Sequence, residues 1–319
     1  MWLRSKFPDH KEIQAGYRAA AGTARVLPSP EVALQTQGAA IDWWIRFLAD
    51  PAPTLGLALS GLAEIQGLPC FRAGMRLLAG LGGIDRNLTV TAVDPARFAD
   101  RNDEWWARVC YALALLTEPR RAYSIEGSRL MQLDAGCDVR DLLALANAAE
   151  VADLIAMRDL AREKLLPGLP EGPVATGAVF DGSADLNGDA DLIAGGMLVD
   201  IKASQGGKPR TDGTRAAALG RVELDQLIGY ALMDYSDEFG LHTVAIYAAQ
   251  FGHLAAWPLS ELLARLSGRP VELAALRKEF ARVLQLALPR YWASPAATRA
   301  GSAQAGYARA SPLAISPKP

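Results

Sequence analysis

A glycine pair between two short apolar runs constrains the fold of this chain more than any other feature. Gly195-Gly196 separates residues 192–194 from residues 197–203, and a Gly-Gly dipeptide suits the two-residue turn of a β-hairpin. In such a hairpin the numbers of paired positions have a constant sum, so Asp191 faces Asp200. Their Cβ atoms are then expected about 4.5–5.5 Å apart. Two carboxylates this close repel each other unless a cation lies between them.

A lysine follows on the second strand of this hairpin. Because side chains alternate along a strand, Lys202 lies on the same side as Asp200. The neighbours of both residues are apolar and predict a buried strand, where charges are costly unless they are paired or coordinated. An aspartate, a turn and then Asp-x-Lys is the layout of a divalent-metal phosphodiesterase site. The same register sets Asp189 opposite Lys202, where we expect a salt bridge or solvent exposure, with a spare metal ligand as the alternative.

A second motif follows the hairpin. Apolar residues at 224, 227, 228, 231, 232 and 235 have the spacing of a helix. Gln226 and Tyr230 are four residues apart and therefore lie on one face of that helix. The Asp-x-Lys strand followed by Gln-x-x-x-Tyr resembles the PD-(D/E)XK nuclease superfamily, in particular its RecB and lambda-exonuclease branch. The two motifs cover about residues 180–235.

This resemblance implies both a fold and an activity. The fold is mixed α/β (α+β), with a restriction-endonuclease-like α/β/α core and a mixed central sheet, plus a large helical N-terminal half. The activity is that of a metal-dependent deoxyribonuclease that hydrolyses phosphodiester bonds, in a setting such as phage defence, recombination or repair. The alternative is a non-catalytic or partner-activated nucleic-acid-binding module that retains the nuclease fold. The implied catalytic residues are Asp191, Asp200, Lys202, Gln226 and Tyr230, with Asp191, Asp200 and the main-chain carbonyl of Ile201 as ligands of Mg²⁺ or Mn²⁺.

A third metal ligand remains open between two helices. Members of the RecB type carry a Gly followed by a His in the first core helix. The helix predicted over residues 31–47 resembles this segment but has Asp42 where the His would stand. In the alternative, the helix predicted over residues 139–166 is the first core helix, with Glu150 or Asp153 directed at the metal. Water fills the remaining metal positions in either case.

The order of predicted elements divides the chain into a helical part and a mixed part. Residues 1–170 are mainly helical and include an insertion that begins at residue 51, although residues 1–30 predict no clear element. Residues 171–290 carry the nuclease-like core and C-terminal helices, with further strands predicted over 243–249 and 253–257. The segment 294–319 is rich in Ala, Ser, Gly and Pro and is predicted to be disordered.

The charge balance restricts where nucleic acid can bind. The net charge is −2, whereas nucleic-acid affinity rests mainly on cationic contacts to phosphate. A DNA-binding surface must therefore be local, or a helicase, a sensor or another protein partner must supply DNA contacts. The connector after the Asp-x-Lys strand is the candidate surface, and its alternative is a mobile solvated loop. The candidate residues are Lys208, Arg210, Arg215 and Arg221.

Other functional classes find little support. The acid-rich segment 181–191 lacks the Gly at position six and the Glu at position twelve that an EF-hand requires. The sequence has no Walker A motif, no Cys-x-x-Cys, and only 3 histidines, none spaced as a zinc pair. Its 3 scattered cysteines are typical of a reducing cytoplasm. With neither a signal-peptide core nor an apolar run of membrane-spanning length, we expect a soluble cytoplasmic protein of bacterial type.

Overall fold

A five-stranded mixed sheet organises the structure, a computed structural model that describes residues 2–29, 31–121, 125–204 and 206–287. The strands lie side by side in chain order. Neighbouring strands are antiparallel except β3 and β4, which are parallel. Parallel neighbours need a long crossover, and the helix between β3 and β4 provides it. The strands are β1 (Val174–Val179), β2 (Asp189–Ala194), β3 (Met197–Lys202), β4 (Thr243–Ala248) and β5 (His253–Pro258).

Helices cover both faces of this sheet. Short 3₁₀ or π turns lie at Pro95–Phe98, Arg129–Gln132, Ala161–Leu165, Leu166–Gly168, Asp181–Ala184 and Val283–Ala287. The α-helices are α1 (Trp2–Lys6), α2 (Lys11–Ala21), α3 (Leu34–Ala49), α4 (Gly56–Ala63), α5 (Phe71–Gly80), α6 (Asp103–Arg121), α7 (Val139–Ala144), α8 (Ala148–Leu160), α9 (Arg221–Met233), α10 (Leu259–Ser267) and α11 (Leu273–Arg282).

Two apolar cores lie on opposite faces of the sheet. The first joins α3 to α8 with strand residues that include Leu192 and Val199. The second joins α1, α2 and α9 to α11 with strand residues that include Ile193 and Leu198. Because β3 is covered on both faces, its sequence is an almost continuous apolar run rather than an alternating one. The charged residues at its end therefore lie in a largely dry part of the molecule.

The β2–β3 hairpin has the predicted turn and register. Ala194 pairs with Met197, and the two preceding pairs follow the same register. Gly195 and Gly196 have φ values of 49° and 78°, so both central residues of the turn have the left-handed backbone that a type I′ turn requires. A side chain at either position would be strained. The glycine pair thus fixes which residues of β2 and β3 share a face.

The N-terminal residues contain two helices that the sequence did not predict clearly. Residues 1–30 predicted no clear element, but α1 and α2 lie there and pack on the face that carries α9 to α11. The buried residues of α2 are Ile13, Tyr17 and Ala21, one per turn. This stripe is narrow and surrounded by alanines, so its helical period is weak in the sequence. The first 170 residues therefore contribute to both faces of the sheet.

The helix predicted over residues 139–166 is interrupted. Asn147 begins a new helix, because its side chain accepts a hydrogen bond from the Glu150 amide while the Glu150 carboxylate accepts one from the Asn147 amide. This reciprocal capping box starts α8, whereas α7 has already ended at Ala144. The predicted disordered segment 294–319 lies outside the described residues.

The first half of the chain consists mainly of helices, as expected. Within the described parts of the chain, no helix combines the length and the apolar character needed to cross a membrane. Cys70, Cys110 and Cys137 are free thiols, and burial raises the pKa of the Cys110 thiol well above its ordinary value.

Candidate functional site

A cavity of about 360 Å³ opens between the sheet, the N-terminal part of α3 and the C-terminal half of α6. The predicted catalytic residues all line it. Elements from both faces of the sheet meet here, since α3 and α6 belong to one face and α9 to the other. The lining includes Thr36, Asp42, Glu118, Arg120, Arg121, Asn187, Asp189, Asp191, Asp200, Ile201, Lys202, Gln226 and Tyr230.

The cavity lies where β2 and β3 separate. Their paired register ends at Leu192 and Val199, so the expected direct pairing of Asp191 with Asp200 does not form part of the ladder. Instead, the Asp191 side chain takes the place of a backbone acceptor, and the Ile201 amide donates to its Oδ2 at 2.8 Å. Separation of the strands makes room for side chains between them. The sequence predicts the register but carries no signal for where the ladder stops.

Lys202 links Asp200 to the helix on the other side of the cavity. Its Nζ lies 2.8 Å from Asp200 Oδ2 and 3.0 Å from Asp200 Oδ1, and the contact to Oδ1 has hydrogen-bond geometry. The same Nζ donates to Gln226 Oε1 at 2.8 Å, and the Gln226 amide donates to the Tyr230 hydroxyl at 2.7 Å. The ring of Tyr230 stacks on Phe180. The two motifs thus form one hydrogen-bonded chain from β3 to α9.

A buried ion pair borders the carboxylates on the α3 side. The Arg46 guanidinium donates to both oxygens of Asp42, with distances of 2.8–3.1 Å, and its NH2 lies 3.8 Å from Asp189 and from Asp191. It also lies over the Trp43 ring. Gly177 makes this possible, because a Cβ there would lie 2.4 Å from Arg46 NH1. The sequence analysis identified Asp42 as a candidate but not Arg46, which lies one helical turn later.

The alternative third ligands lie elsewhere. Glu150 is fully buried, and its carboxylate accepts hydrogen bonds from the Tyr111 hydroxyl, the Arg129 guanidinium and the Ala33 amide. The Asp153 carboxylate accepts from the Ser29 amide. Neither residue lines the cavity. Of the two helices considered from the sequence, α3 with Asp42 is the one at the site.

Asp189 forms the expected salt bridge, but with a different partner. It pairs with Val179 of β1 in the sheet rather than with Lys202. Its carboxylate lies 3.2 Å from the Arg121 guanidinium at the end of α6. The cavity rim therefore contains an ion pair between β2 and the helical half of the chain.

Carboxylates outnumber cations around these strands. Among the described residues, the cations in contact with the carboxylates of Asp42, Asp189, Asp191 and Asp200 are Arg46, Arg121 and Lys202. With all four carboxylates ionised, three positive charges would face four negative charges in a poorly solvated place. Charges so placed attract a cation or a proton.

The pKa values reflect this crowding. Burial, followed by the charges of Asp42 and Asp200, raises the pKa of Asp191 to about 8. Burial also raises the pKa of Asp200 above its ordinary value, against the opposing effect of Lys202. Burial lowers the pKa of Lys202, but the Asp200 and Asp191 carboxylates outweigh it and leave that pKa raised. Lys202 is therefore an ammonium ion at neutral pH.

The donor set fits a hard divalent cation. Asp200 is 2% exposed, and among the described residues its Oδ2 has no hydrogen-bond donor beside the Lys202 ammonium, which lies 2.8 Å away. Ile201 directs its N–H toward Asp191, and the carbonyl of a strand residue points to the same side as its N–H. Carboxylate and carbonyl oxygens with added water are the ligands that Mg²⁺ prefers. No set of three His, Cys, Asp or Glu side chains within the described ranges is grouped as ready-made metal ligands.

The basic residues expected from the sequence lie outside the cavity lining. Lys208 and Arg210 are exposed on the connector, and Arg215 donates to the Gly207 carbonyl. Arg221 is engaged within the fold, where its guanidinium donates to the Phe7 carbonyl at 2.6 Å and to Asp225.

Two arginines that the sequence analysis did not select, Arg120 and Arg121, lie at the cavity. Arg120 and Arg121 end α6 and line the cavity. The sequence signal for these two residues is an Arg-Arg pair at a helix end, and such a pair is not specific for a ligand-binding site. Their position depends on the packing of α6 against α3, a contact between segments about 80 residues apart in the chain.

No family model, curated protein or solved structure matches this chain. Function must therefore be argued from the geometry and chemistry of the site itself.

The stability of the metal-free protein should fall as pH rises toward 8. Because the pKa of Asp191 is about 8 in the folded state and about 3.9 in an unfolded chain, the folded state retains a proton that the unfolded state releases. The stabilising contribution is complete below about pH 4 and is lost as pH rises through 8. In EDTA, thermal unfolding should occur several degrees lower at pH 8.5 than at pH 5.5.

Other carboxylates also titrate, so the comparison needs a matched variant. Asp191→Asn keeps an acceptor for the Ile201 amide but cannot ionise. Its melting temperature should depend less on pH and exceed that of the wild type at pH 8.5. Equal pH profiles for the two proteins would show that Asp191 has no raised pKa.

Proposed function

We propose that this chain is a divalent-metal-dependent deoxyribonuclease with a restriction-endonuclease-like core. The observation that carries the proposal is the hydrogen-bonded chain from Asp200 through Lys202 and Gln226 to Tyr230, beside Asp191 in one cavity. The element order α3, β1–β2–β3, α9, β4 supports the core, because α3 and α9 lie on opposite faces of a mixed sheet.

The metal-binding residues in this proposal are Asp191, Asp200 and the carbonyl of Ile201. A divalent cation held there would supply a water molecule of lowered pKa and would neutralise charge that develops on the phosphate. The protein holds these donors in place before binding. The Ile201 amide fixes Asp191 by a 2.8 Å hydrogen bond, and Lys202 fixes Asp200.

Lys202 acts as a cation rather than as a proton acceptor in this proposal. Its raised pKa keeps the ammonium charged, so it can stabilise negative charge on a phosphate oxygen. Gln226 holds Lys202 through Oε1 and is itself held by Tyr230. Gln226 and Tyr230 therefore set the direction of the ammonium group, and Asp42 with Arg46 sets the position of the β2 carboxylates.

The test is cleavage of linear single-stranded, linear double-stranded and closed circular DNA with Mg²⁺, Mn²⁺ or EDTA. The wild type should hydrolyse at least one linear substrate with either metal and none in EDTA. Asp191→Asn should remain folded and lose this activity. Absence of cleavage, together with a Mn²⁺-induced thermal shift that Asp191→Asn abolishes, would favour the alternative of a partner-activated or non-catalytic module. Absence of both responses would contradict the proposed metal site.

A further inference from the structure

The helical half of the chain narrows access to the site. The cavity is bounded on one side by the strands and α9 and on the other by α3 and α6. Its volume of about 360 Å³ is at the lower end of the range for small-molecule pockets, about 300–1,000 Å³. A space of this size is closer to that of one or two nucleotides than to that of a duplex. The size of the cavity therefore favours a single strand as the chain that brings a scissile phosphate to Asp191 and Asp200.

The wall of the cavity that is formed by the end of α6 contains cations. Arg120 is exposed, lines the cavity, and has no hydrogen-bond or ion-pair partner among the described residues. Arg121, next to it, lies 3.2 Å from Asp189. Glu118, the acidic residue on this wall, is held by the hydroxyls of Thr36 at 3.0 Å and Ser128 at 2.5 Å. Arg120 is therefore the cation of this wall that remains available to a ligand.

We propose that Arg120 binds a backbone phosphate of single-stranded DNA and that single strands are the substrate class of this cavity. This inference rests on the proposed function, because it assigns the scissile phosphate to the Asp191 and Asp200 side. Arg121 has a structural role in this proposal. Its guanidinium balances Asp189 and keeps the end of α6 at the rim, beside Arg120. The connector arginines lie outside the cavity lining and take no part in this contact.

The test measures binding separately from cleavage. Fluorescence anisotropy with a labelled oligo-dT strand and with a closed duplex is recorded in EDTA between about 50 and 200 mM salt, where phosphate contacts govern affinity. We expect the single strand to bind the wild type at least about tenfold more tightly than the duplex. Arg120→Gln should weaken single-strand binding about fivefold and reduce the salt slope by about 0.7, the value for one phosphate contact on a single strand.

A matched control removes the same charge elsewhere. Arg72 is an exposed arginine on α5, outside the cavity lining, and Arg72→Gln should leave binding unchanged. The Mn²⁺-induced thermal shift of Arg120→Gln should equal that of the wild type. Equal affinity for strand and duplex, no binding of the strand, or equal effects of the two substitutions would overturn the inference.

The two proposals can fail separately. Selective single-strand binding that depends on Arg120, without cleavage in any metal, would support this inference and contradict the proposed nuclease activity. Metal-dependent cleavage with kinetics that Arg120→Gln does not change would overturn the inference and leave the nuclease proposal intact.

Discussion

Replacing Asp200 by asparagine should abolish metal-dependent cleavage and leave the protein folded. The substitution removes one of two carboxylates proposed to bind the metal while keeping the shape of the side chain. Loss of a direct ligand should lower the cleavage rate at least about 10³-fold, or about 4 kcal/mol of transition-state stabilisation. The rate is measured with the linear DNA substrate that the wild type cleaves, over a range of Mn²⁺ concentrations.

The fold should survive because the charges around the site come into balance. Asp200 is one of four carboxylates that face three cations. In Asp200→Asn the remaining carboxylates equal the cations in number, and Lys202 still donates to Gln226. The far-ultraviolet circular dichroism spectrum should therefore match that of the wild type. The Mn²⁺-induced rise in melting temperature should disappear, since it depends on binding to the folded state.

Asp134→Asn is the matched control for this experiment. Asp134 is exposed and outside the cavity lining, so its substitution makes the same change in net charge without touching the site. The Asp134→Asn variant should cleave DNA at the wild-type rate and show the wild-type rise in melting temperature with Mn²⁺. If Asp200→Asn also retained cleavage, the catalytic site would have to lie elsewhere in the chain.

The sequence predicted the local parts of this site well. Gly195-Gly196 sets the turn, and the turn sets which residues of β2 and β3 share a face. The spacing of Gln226 and Tyr230 on α9 sets a second pair of side chains on one helical face. These features depend on backbone geometry within a few residues, and so a short stretch of sequence contains them.

The parts that the sequence did not predict depend on distant segments. Arg46 reaches the β2 carboxylates because α3 packs beside the strands, and Arg121 reaches Asp189 across 68 positions. Arg221 was expected on the DNA-binding surface, but packing of α1 against α9 turns it toward the Phe7 carbonyl. No local pattern distinguishes an arginine that packs inside from one that contacts a ligand.

The buried ion pair of Arg46 and Asp42 should be the most sensitive point for stability. Arg46 is 2% exposed and holds both oxygens of Asp42. Arg46→Met removes this partner and leaves a buried carboxylate unpaired, which costs about 3–5 kcal/mol. That loss is a large fraction of the stability of an ordinary domain, about 5–15 kcal/mol. Urea denaturation in EDTA measures it as a lower midpoint with an unchanged slope.

The double variant Asp42→Leu/Arg46→Met should recover much of this loss, because no unpaired charge remains in the place of the ion pair. Recovery should be incomplete, since Arg46 also lies 3.8 Å from Asp189 and Asp191. A loss below about 1 kcal/mol in the single variant would show that the pair is solvated, because exposed ion pairs contribute no more than that.

Bound Mn²⁺ should restore part of the stability that is lost in Arg46→Met. Arg46→Met removes one of the three described cations that contact the four carboxylates, so Mn²⁺ should bind more tightly and stabilise the variant more than the wild type. Arg158→Met is the matched control, because Arg158 is 2% exposed, pairs with Asp103 at 2.6 Å and lies over the Trp44 ring, outside the cavity lining. It should also lower stability, but Mn²⁺ should stabilise it no more than the wild type. If Mn²⁺ increased the stability of both variants by the same amount, the metal would not bind beside Arg46.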